Sequence, residues 1–351
     1  MENKIKNSNN RIKWIDACKG FTIILVVMGH VADGYLNAGL FLPYKSILTY
    51  SRCLVYSFHM PLFFVLSGIT FYIAYVEKNR KNKFIYQIVN LIWIYFIFSI
   101  IQWCFQKLFN GSVNNSYSLY DLILIPIKPI ALYWYLYVLI FLYMISYKIV
   151  GNKIRNITIF LITICVSLFA AFYKFNNTGF PLRLILYFFA FFWMGIIIIS
   201  NLDVCKNRCI VTISLMITII SFVVTIMEGK VIGYWGNCIF PLAICFICVY
   251  VFFNIKIFNQ ENILILFGKY SLEIYLFHSY ITAGNRIFLF KIGIESFAIN
   301  VLINFFMAIS IPILISKIMK KLNIHKYIFK FGNIICYKVM NKKNYWINIP
   351  Y

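Results

Sequence analysis

Long apolar runs recur from one end of this chain to the other, and each is long enough to cross a lipid bilayer. A membrane-spanning helix needs about 20 mostly apolar residues. Of the 351 residues, 62% are hydrophobic and only 12% are charged, whereas about a quarter of the residues of a soluble globular protein are charged. The sequence therefore predicts an all-α, polytopic membrane protein.

The apolar runs divide the chain into ten expected membrane-spanning helices, at about 17–35, 53–75, 84–108, 131–149, 157–173, 182–200, 210–227, 236–254, 271–290 and 297–316. Residues 1–316 form the expected membrane-embedded domain, and residues 317–351 form a basic tail. With the N-terminus placed in the cytoplasm, 24 of the 33 Lys and Arg residues fall in inner segments and 9 in outer ones. Because Lys and Arg are enriched on the cytoplasmic side of membrane proteins, we expect both termini in the cytoplasm.

The formal net charge of +23 raises the question of a nucleic-acid partner. Lys and Arg are instead grouped in short segments between the apolar runs, which is the distribution that membrane topology requires. No basic patch is interleaved with exposed aromatic residues, as a nucleic-acid-binding surface would need. We therefore expect membrane lipids, and no nucleic acid, among the partners of this chain.

Ionisable side chains within the expected spans are the main functional candidates, because each costs on the order of 3 kcal/mol at the bilayer centre. In the first span, Lys19 and His30 are eleven residues apart, which places them on one helix face, about 16 Å apart along the axis. That spacing suits a ligand with an anionic end and a reactive end, such as an acyl-CoA. The alternative is that Lys19 flanks the membrane and His30 is a hydrogen-bonded packing residue.

The second span contains a similar group, in "RCLVYSFHMPLFFVLSG". Arg52, Tyr56 and His59 share a helix face. Pro61 leaves backbone carbonyls without their helical partners, which membranes tolerate where the backbone lines a cavity. A lone histidine beside a proline is more often structural, but His30 and His59 at similar depth on adjacent helices favour a site.

Two further stretches carry candidates with strong structural alternatives. In "FGKYSLEIYLFHSY", Glu273 and His278 are five residues apart, about 140° around a helix, so we do not expect them to couple directly. Glu273 also lies where a carboxylate simply favours a helix N-terminus. In "LYWYLYVLIF", Trp134 belongs to an aromatic stretch whose default role is anchoring at the lipid interface.

Together these stretches resemble the integral-membrane acyltransferase family 3, multi-span O-acyltransferases of bacteria. The matching residues, in the order found in the family, are "RIKWIDACKG" with the spacing from Lys19 to His30, "FHMPLFFVLSG", "YWYLYVLIF" and "GKYSLEIYLFH". The resemblance covers the chain from about Arg11 to residue 316. Within the family, the sequence is most similar to the fucose 4-O-acetylase-like group, which acetylates sugars of surface glycans.

The resemblance implies about ten helices around a central cavity in a bacterial cytoplasmic membrane. It implies acyl-CoA, commonly acetyl-CoA, as a co-substrate, with no bound cofactor and no metal. The acceptor would be a hydroxyl of a cell-surface glycan or lipid-linked sugar, and glycan-assembly proteins are candidate partners. The expected site residues are catalytic His30, His59 and Asp16; Lys19 and Arg11, which bind the acyl-CoA; and Arg52, Tyr56, Trp134, Glu273 and His278, which bind substrate.

In the expected mechanism, His30 takes a proton from the acceptor hydroxyl as it attacks the thioester, or carries the acyl group transiently. His59 would help to stabilise the oxyanion or to position the acceptor, and Lys19 and Arg11 would hold the CoA phosphates. Asp16, about 21 Å from His30 along a continuous helix, would orient the entrance. Two other classes fit intramembrane ionisable residues: a transporter or flippase for a lipid-linked sugar or small anion, and an inactive sensor or partner subunit.

Overall fold

A computed structural model of the chain describes residues 11–80, 83–108, 117–173, 180–228, 239–332 and 334–335. These residues are predominantly helical and include no β-strand, so the expected all-α class is confirmed. Thirteen α-helices occur in this part of the chain: α1 (Lys13–Asn37), α2 (Lys45–Tyr72), α3 (Phe84–Leu108), α4 (Leu119–Ile123), α5 (Trp134–Ile149), α6 (Lys153–Phe172), α7 (Phe180–Ser200), α8 (Arg208–Glu228), α9 (Ile239–Asn254), α10 (Ile263–Lys269), α11 (Ser271–Lys291), α12 (Phe297–Lys321) and α13 (His325–Phe329).

Seven helical segments in the described residues are long and apolar enough to cross a membrane. They are Lys13–Asn37, Leu42–Glu77, Phe84–Leu108, Ala131–Ile149, Lys153–Ala171, Pro181–Ser200 and Phe297–Lys321. Two further apolar helices, Arg208–Val223 and Ile239–Asn254, are shorter. Helix α11 occupies the ninth expected span, and its ionisable residues lower its hydropathy. The polytopic class is supported, while the count of ten spans and the side of each terminus stay predictions.

Helix α1 lies at the centre of the bundle and packs against α2, α9, α10, α11 and α12. Its contact with α10 is close enough to bring the two backbones together. A Cβ atom at Gly20 would overlap the Leu264 carbonyl oxygen, and one at Gly268 would overlap the Asp16 carbonyl oxygen. Small residues allow such approach between membrane helices, and here they fix the first turns of α1, which carry Asp16 and Lys19.

Helix α2 continues through Pro61 without a break and passes into a π-helical turn at Ile73–Glu77. The proline supplies no N–H for the carbonyl four residues earlier. The nearby Phe58 carbonyl lies 3.8 Å from the Cys245 sulfur of α9. Ser57 and Pro61 line a small cavity, as expected for disrupted backbone at membrane depth.

Helix α12 runs to Lys321, and the segment after it folds back against the bundle. The Asn90 side chain of α3 donates to the Phe329 carbonyl at 2.6 Å, and the Trp93 and Phe331 rings lie 4.1 Å apart. The first part of the expected tail therefore packs on α3. The rest of that tail, from residue 336, lies outside the described residues.

Candidate active site

A cavity of about 410 Å³ lies beside the second half of α1, and we call it the histidine cavity. Helices α1, α2, α3 and α11 contribute to its wall, together with the start of α5 and the segment before it. Its ionisable lining residues other than tyrosine are His30, Asp33, His59 and Arg286. Such a mixture of apolar wall and a few convergent polar groups is typical of a ligand site.

Two more cavities continue from the histidine cavity toward the first turn of α1. The middle cavity, of about 160 Å³, shares Met60 and Tyr275 with the histidine cavity. The basic cavity, of about 220 Å³, shares Lys19 and Thr70 with the middle cavity. The three cavities thus form a row along α1. Lys19 lies toward the end of the row near the first turn of α1, and His30 lies toward the other end.

Three histidines from three helices lie close together, and two of them, His30 and His59, line the histidine cavity. The ring centres of His30 and His278 are 4.9 Å apart, and those of Tyr56 and His59 are also 4.9 Å apart. Tyr56 also contacts His30, with the two ring centres 5.8 Å apart, and so links the two pairs. The structure therefore brings together four of the residues that the sequence nominated.

Two of these histidines have their protons placed by backbone carbonyls. His59 donates from Nδ1 to the Val55 carbonyl at 2.7 Å, and His278 donates from Nδ1 to the Ile274 carbonyl at 2.9 Å. A carbonyl can only accept a hydrogen bond, so in both neutral rings Nε2 carries the lone pair. The Nε2 atom of His278 is buried and has no hydrogen-bond partner in the described part of the chain.

His30 is oriented by a different kind of partner. The Tyr56 hydroxyl lies 3.3 Å from His30 Nδ1, and the same hydroxyl hydrogen-bonds the Asp33 side chain. Asp33 in turn pairs with Arg52, whose Nε lies 3.0 Å from Oδ1 of the carboxylate. If Tyr56 donates to the carboxylate, it must accept from the Nδ1–H of His30, which leaves His30 Nε2 as an available base.

Sequence reasoning did not identify Asp33, although a signal for it was present. Asp33 follows His30 by three residues, and residues at that spacing share a helix face. Sequence reasoning also missed Gln102 and Gln106 of α3, which line the histidine cavity. Their side-chain oxygens are buried without partners among the described residues, as is the hydroxyl of Ser279. Two glutamines four residues apart in the apolar run "IIQWCFQKL" were the available sign.

Trp134 lies in the wall of the histidine cavity, at the start of α5. Its ring packs on that of Phe188, with the centres 5.4 Å apart and the planes at 25°. Trp134 therefore faces the interior of the bundle on at least one side, which the aromatic-belt alternative did not anticipate.

The basic cavity carries most of the cationic groups of the row. Arg11, Lys19, Lys78 and Arg80 line it, together with Asp16. The Arg11 Nε atom lies 3.0 Å from Oδ2 of Asp16, whose side chain is almost fully buried. Asp16 is thus at the far end of the row from His30. Sequence reasoning did not single out Lys78 and Arg80, because loop charge and ligand binding look alike in a single sequence.

Glu273 is separated from the other nominated residues. Its Oε1 atom accepts from Ser316 at 3.1 Å and lies 3.2 Å from His325 Nε2, with the Lys320 ammonium at 3.9 Å. None of the three cavities is lined by Glu273. The carboxylate therefore links α11 to α12 and α13, on a different face of α11 from His278.

Comparison with known proteins gives a family match over most of the chain. The family model described as an acyltransferase domain matches residues 12–317. No curated protein and no solved structure matches the sequence. The matched range contains all the residues that line the three cavities, apart from Arg11.

Proposed function

Because this chain belongs to the acyltransferase family 3, we propose that it transfers an acyl group, commonly acetyl, from acyl-CoA to a hydroxyl of a cell-surface glycan or lipid-linked sugar. The family resemblance inferred from four short motifs is confirmed, and with it a membrane acyltransferase. The donor, the acceptor, the residue roles and the bacterial cytoplasmic membrane belong to the proposal. The observation that carries it is the row of three cavities between the cationic residues around Lys19 and the imidazole of His30.

The basic cavity suits the nucleotide end of the donor. Lys19, Lys78, Arg80 and Arg11 are cations around one cavity, and charge-assisted bonds from Lys and Arg are the usual means of holding phosphates. Arg11 is already paired with Asp16, so Asp16 would hold Arg11 at the entrance and would not take part in the chemistry. With both termini in the cytoplasm, this end would open to cytoplasmic acyl-CoA.

The middle cavity suits the arm of the donor. It is lined mainly by apolar and aromatic side chains, with the hydroxyls of Ser67 and Tyr135 3.0 Å from each other. A pantetheine arm is a slender, weakly polar chain, and it would need to span the distance of about 16 Å along α1 between the levels of Lys19 and His30. A pantetheine arm in the middle cavity would bring the thioester of the donor to the histidine cavity.

In the proposed reaction, His30 Nε2 takes the proton of the acceptor hydroxyl while the hydroxyl oxygen attacks the thioester carbon. The new C–O bond forms, the C–S bond breaks, and the CoA sulfur receives the proton that His30 held. Tyr56 and Asp33 would hold the imidazole with Nε2 facing the acceptor. A transient acyl group on His30 is the alternative route, and it would release CoA before an acceptor binds.

The hydrogen bond from His59 to the Val55 carbonyl narrows its proposed role. Since its Nδ1–H is occupied by the Val55 carbonyl, a neutral His59 has only a lone pair to offer at Nε2. In that state His59 cannot donate to an oxyanion, so of the two expected roles we keep the positioning of the acceptor. We therefore assign it to accepting a hydrogen bond from an acceptor hydroxyl, alongside the unpartnered side-chain oxygens of Gln102 and Gln106.

The test is a thiol-release assay on purified protein with acetyl-CoA. Membranes of the organism that produces this protein supply the acceptor. His30→Ala is expected to abolish acceptor-dependent CoA release and ester formation. His325→Ala, a change of the same type at a histidine outside the three cavities, serves as the matched control and should retain both. Circular-dichroism spectra of both variants would report folding. Acyl transfer at the wild-type rate by a folded His30→Ala protein would refute the proposal, and substrate movement without CoA release would point to a transporter.

A further inference from the structure

Arg286 of α11 is a buried cation that lines the histidine cavity. The residue is only 9% exposed, and its Nη1 atom donates to the Gly34 carbonyl at 2.5 Å. Neither the sequence motifs nor the proposed acyl transfer at His30 accounts for a guanidinium at this position. Burying a charged group is costly unless the group is paired and hydrogen-bonded, by the protein or by a ligand.

The charge of Arg286 is not balanced by a carboxylate in the described part of the chain. Among the described residues, the only acidic one that lines the histidine cavity is Asp33, and Asp33 is already paired with Arg52 at 3.0 Å. The electrostatic neighbour of Arg286 is the hydroxyl of Tyr35, which is neutral. The histidine cavity therefore keeps one net positive charge when its imidazoles are neutral.

A purely structural role explains only part of this arrangement. Gly34 lies near the C-terminal end of α1, where carbonyl groups favour a nearby cation. The bond to the Gly34 carbonyl uses one of the five N–H donors of the guanidinium. Within the described residues, Arg286 makes this one hydrogen bond. The remaining donors are left for a ligand in the cavity.

The backbone of α1 is shaped to receive this side chain. A Cβ atom at Gly34 would lie 2.7 Å from Arg286 Nη1 and 3.9 Å from the guanidinium carbon. Any larger residue at position 34 would displace the guanidinium or force α11 away. The absence of a side chain at Gly34 thus permits the Nη1 atom of Arg286 to approach the backbone of α1 closely.

We propose that Arg286 binds an anionic group, carboxylate or phosphate, on the acceptor. This inference rests on the proposed function, because it places the acceptor in the histidine cavity. Gly34 is four residues after His30, which is one helical turn, about 6 Å along α1. An acceptor with its reactive hydroxyl at His30 would thus present its anionic group about one turn away, and a guanidinium binds carboxylate and phosphate in the same forked geometry.

The inference narrows the acceptor from any sugar hydroxyl to an acidic sugar or a sugar phosphate. A neutral sugar would leave Arg286 desolvated and unpaired, which disfavours it relative to an anionic one of similar shape. The carboxylate would come from a sugar acid of the glycan, and the phosphate from a lipid-linked sugar or a glycan phosphodiester. Gln102, Gln106 and Ser279 would form hydrogen bonds with the sugar hydroxyls of either kind of acceptor.

The test measures thermal unfolding of the purified protein in detergent, with glucose, glucuronate or glucose 1-phosphate added at equal ionic strength. We expect a higher unfolding temperature with at least one anionic sugar than with glucose, and the preferred anion identifies the source. Arg286→Gln should remove that difference. Arg183→Gln, which removes a guanidinium bonded to the carbonyls of Ala170 and Ala171 outside the cavities, should lower the basal unfolding temperature but keep the difference.

Two outcomes would overturn the inference: equal effects of glucose and both anionic sugars on the wild-type protein, or an anion-specific shift that survives in Arg286→Gln. Arg286→Lys keeps the charge without the fork and should retain a reduced shift, so it decides the matter if the Gln variant does not fold. His30→Ala should keep the anion-specific shift while losing acyl transfer. Transfer that persists in His30→Ala therefore counts against the proposed function alone, and loss of anion specificity counts against Arg286 alone.

Discussion

The Nδ1 atom of His30 lies 3.3 Å from the hydroxyl of Tyr56, a residue 26 positions away on the neighbouring helix. The hydroxyl also reaches the Asp33 carboxylate, so Tyr56 links the His30 imidazole to the ion pair of Asp33 with Arg52. This arrangement has the logic of a base oriented by a second group, in which the orienting partner fixes which ring nitrogen carries the proton.

The first prediction concerns this hydroxyl. Tyr56→Phe keeps the ring against His30 and His59 but removes the group that orients the imidazole. We expect kcat for acyl transfer to fall by about ten- to a hundredfold, because misorientation of a base costs rate and leaves donor binding unaffected. Steady-state kinetics with acetyl-CoA should show an unchanged KM for the donor.

The control for Tyr56→Phe is Tyr95→Phe. Tyr95 is also buried, and its hydroxyl donates to the Ile125 carbonyl at 2.6 Å, outside the three cavities. This variant should lose stability without the specific loss of kcat. Equal losses of kcat in the two variants would show that the hydroxyl of Tyr56 has only a structural role.

The second prediction concerns the ion pair of Asp33 with Arg52. It separates the contribution of the pair to catalysis from its contribution to folding stability. Both side chains are partly exposed, and such pairs contribute about 0–1 kcal/mol to folding. Asp33→Asn should therefore change the unfolding temperature little but lower kcat, since a neutral amide no longer fixes the proton on His30 Nδ1. The Asp33→Asn/Arg52→Gln double variant should remove the unpaired cation without restoring kcat.

A double-mutant cycle on these two residues provides the measurement. Unfolding temperature and kcat are determined for the wild-type protein, both single variants and the double variant. Recovery of kcat in the double variant would mean that the charge balance of the pair matters, and that the Asp33 carboxylate does not act on His30.

The sequence predicts well whatever depends on one helix at a time. The expected span at 84–108 coincides with α3, and the spacing from Lys19 to His30 puts both residues along one row of cavities, because α-helix geometry fixes their relation. The contact of His30 with His278 could not be predicted in this way, since it depends on how α11 packs on α1. The same applies to Glu273, whose partners Ser316 and His325 are far along the chain.

Other site residues could not be predicted from the sequence, because a cation next to a membrane span usually has a topological role. Lys78 and Arg80 follow a membrane span, where the positive-inside rule alone predicts cations. Arg286 lies near the end of an expected span and reads as a flanking charge. Only the packing of α11 on α1 shows that its guanidinium reaches the histidine cavity.

The third prediction tests whether Lys78 holds the nucleotide end of the donor. Lys78→Ala should raise the KM for acetyl-CoA several-fold with little change in kcat, because it removes a phosphate-binding cation far from the reacting atoms. The effect should shrink at high salt, which screens exposed charges. It should vanish with acetyl-pantetheine, a donor that lacks the nucleotide.

Lys83→Ala is the matched control for this prediction. Lys83 is an exposed cation close to Lys78 in the sequence, and it does not line the basic cavity. Its substitution should leave the KM for acetyl-CoA unchanged. A rise in KM that is equal for acetyl-CoA and acetyl-pantetheine would show that Lys78 does not contact the nucleotide.

The last prediction concerns the contact that positions the first turns of α1. Gly268→Ala places a methyl group where the Asp16 carbonyl oxygen lies, and backbone atoms cannot move aside as a side chain can. Forcing extra volume into a packed contact costs about 1–3 kcal/mol, so the unfolding temperature should fall. The displacement of Asp16 and Lys19 should also raise the KM for acetyl-CoA.

Gly284→Ala distinguishes this effect from a general cost of replacing glycine in a helix. Gly284 lies within α11, and a Cβ atom there would meet no atom within 4 Å. Alanine is preferred over glycine in a helix interior by about 0.5–1 kcal/mol, so this variant should be as stable as the wild-type protein or more so. If Gly268→Ala proved equally harmless, α1 and α10 would not be in backbone contact, and the position assigned to Lys19 beside the basic cavity would lose its support.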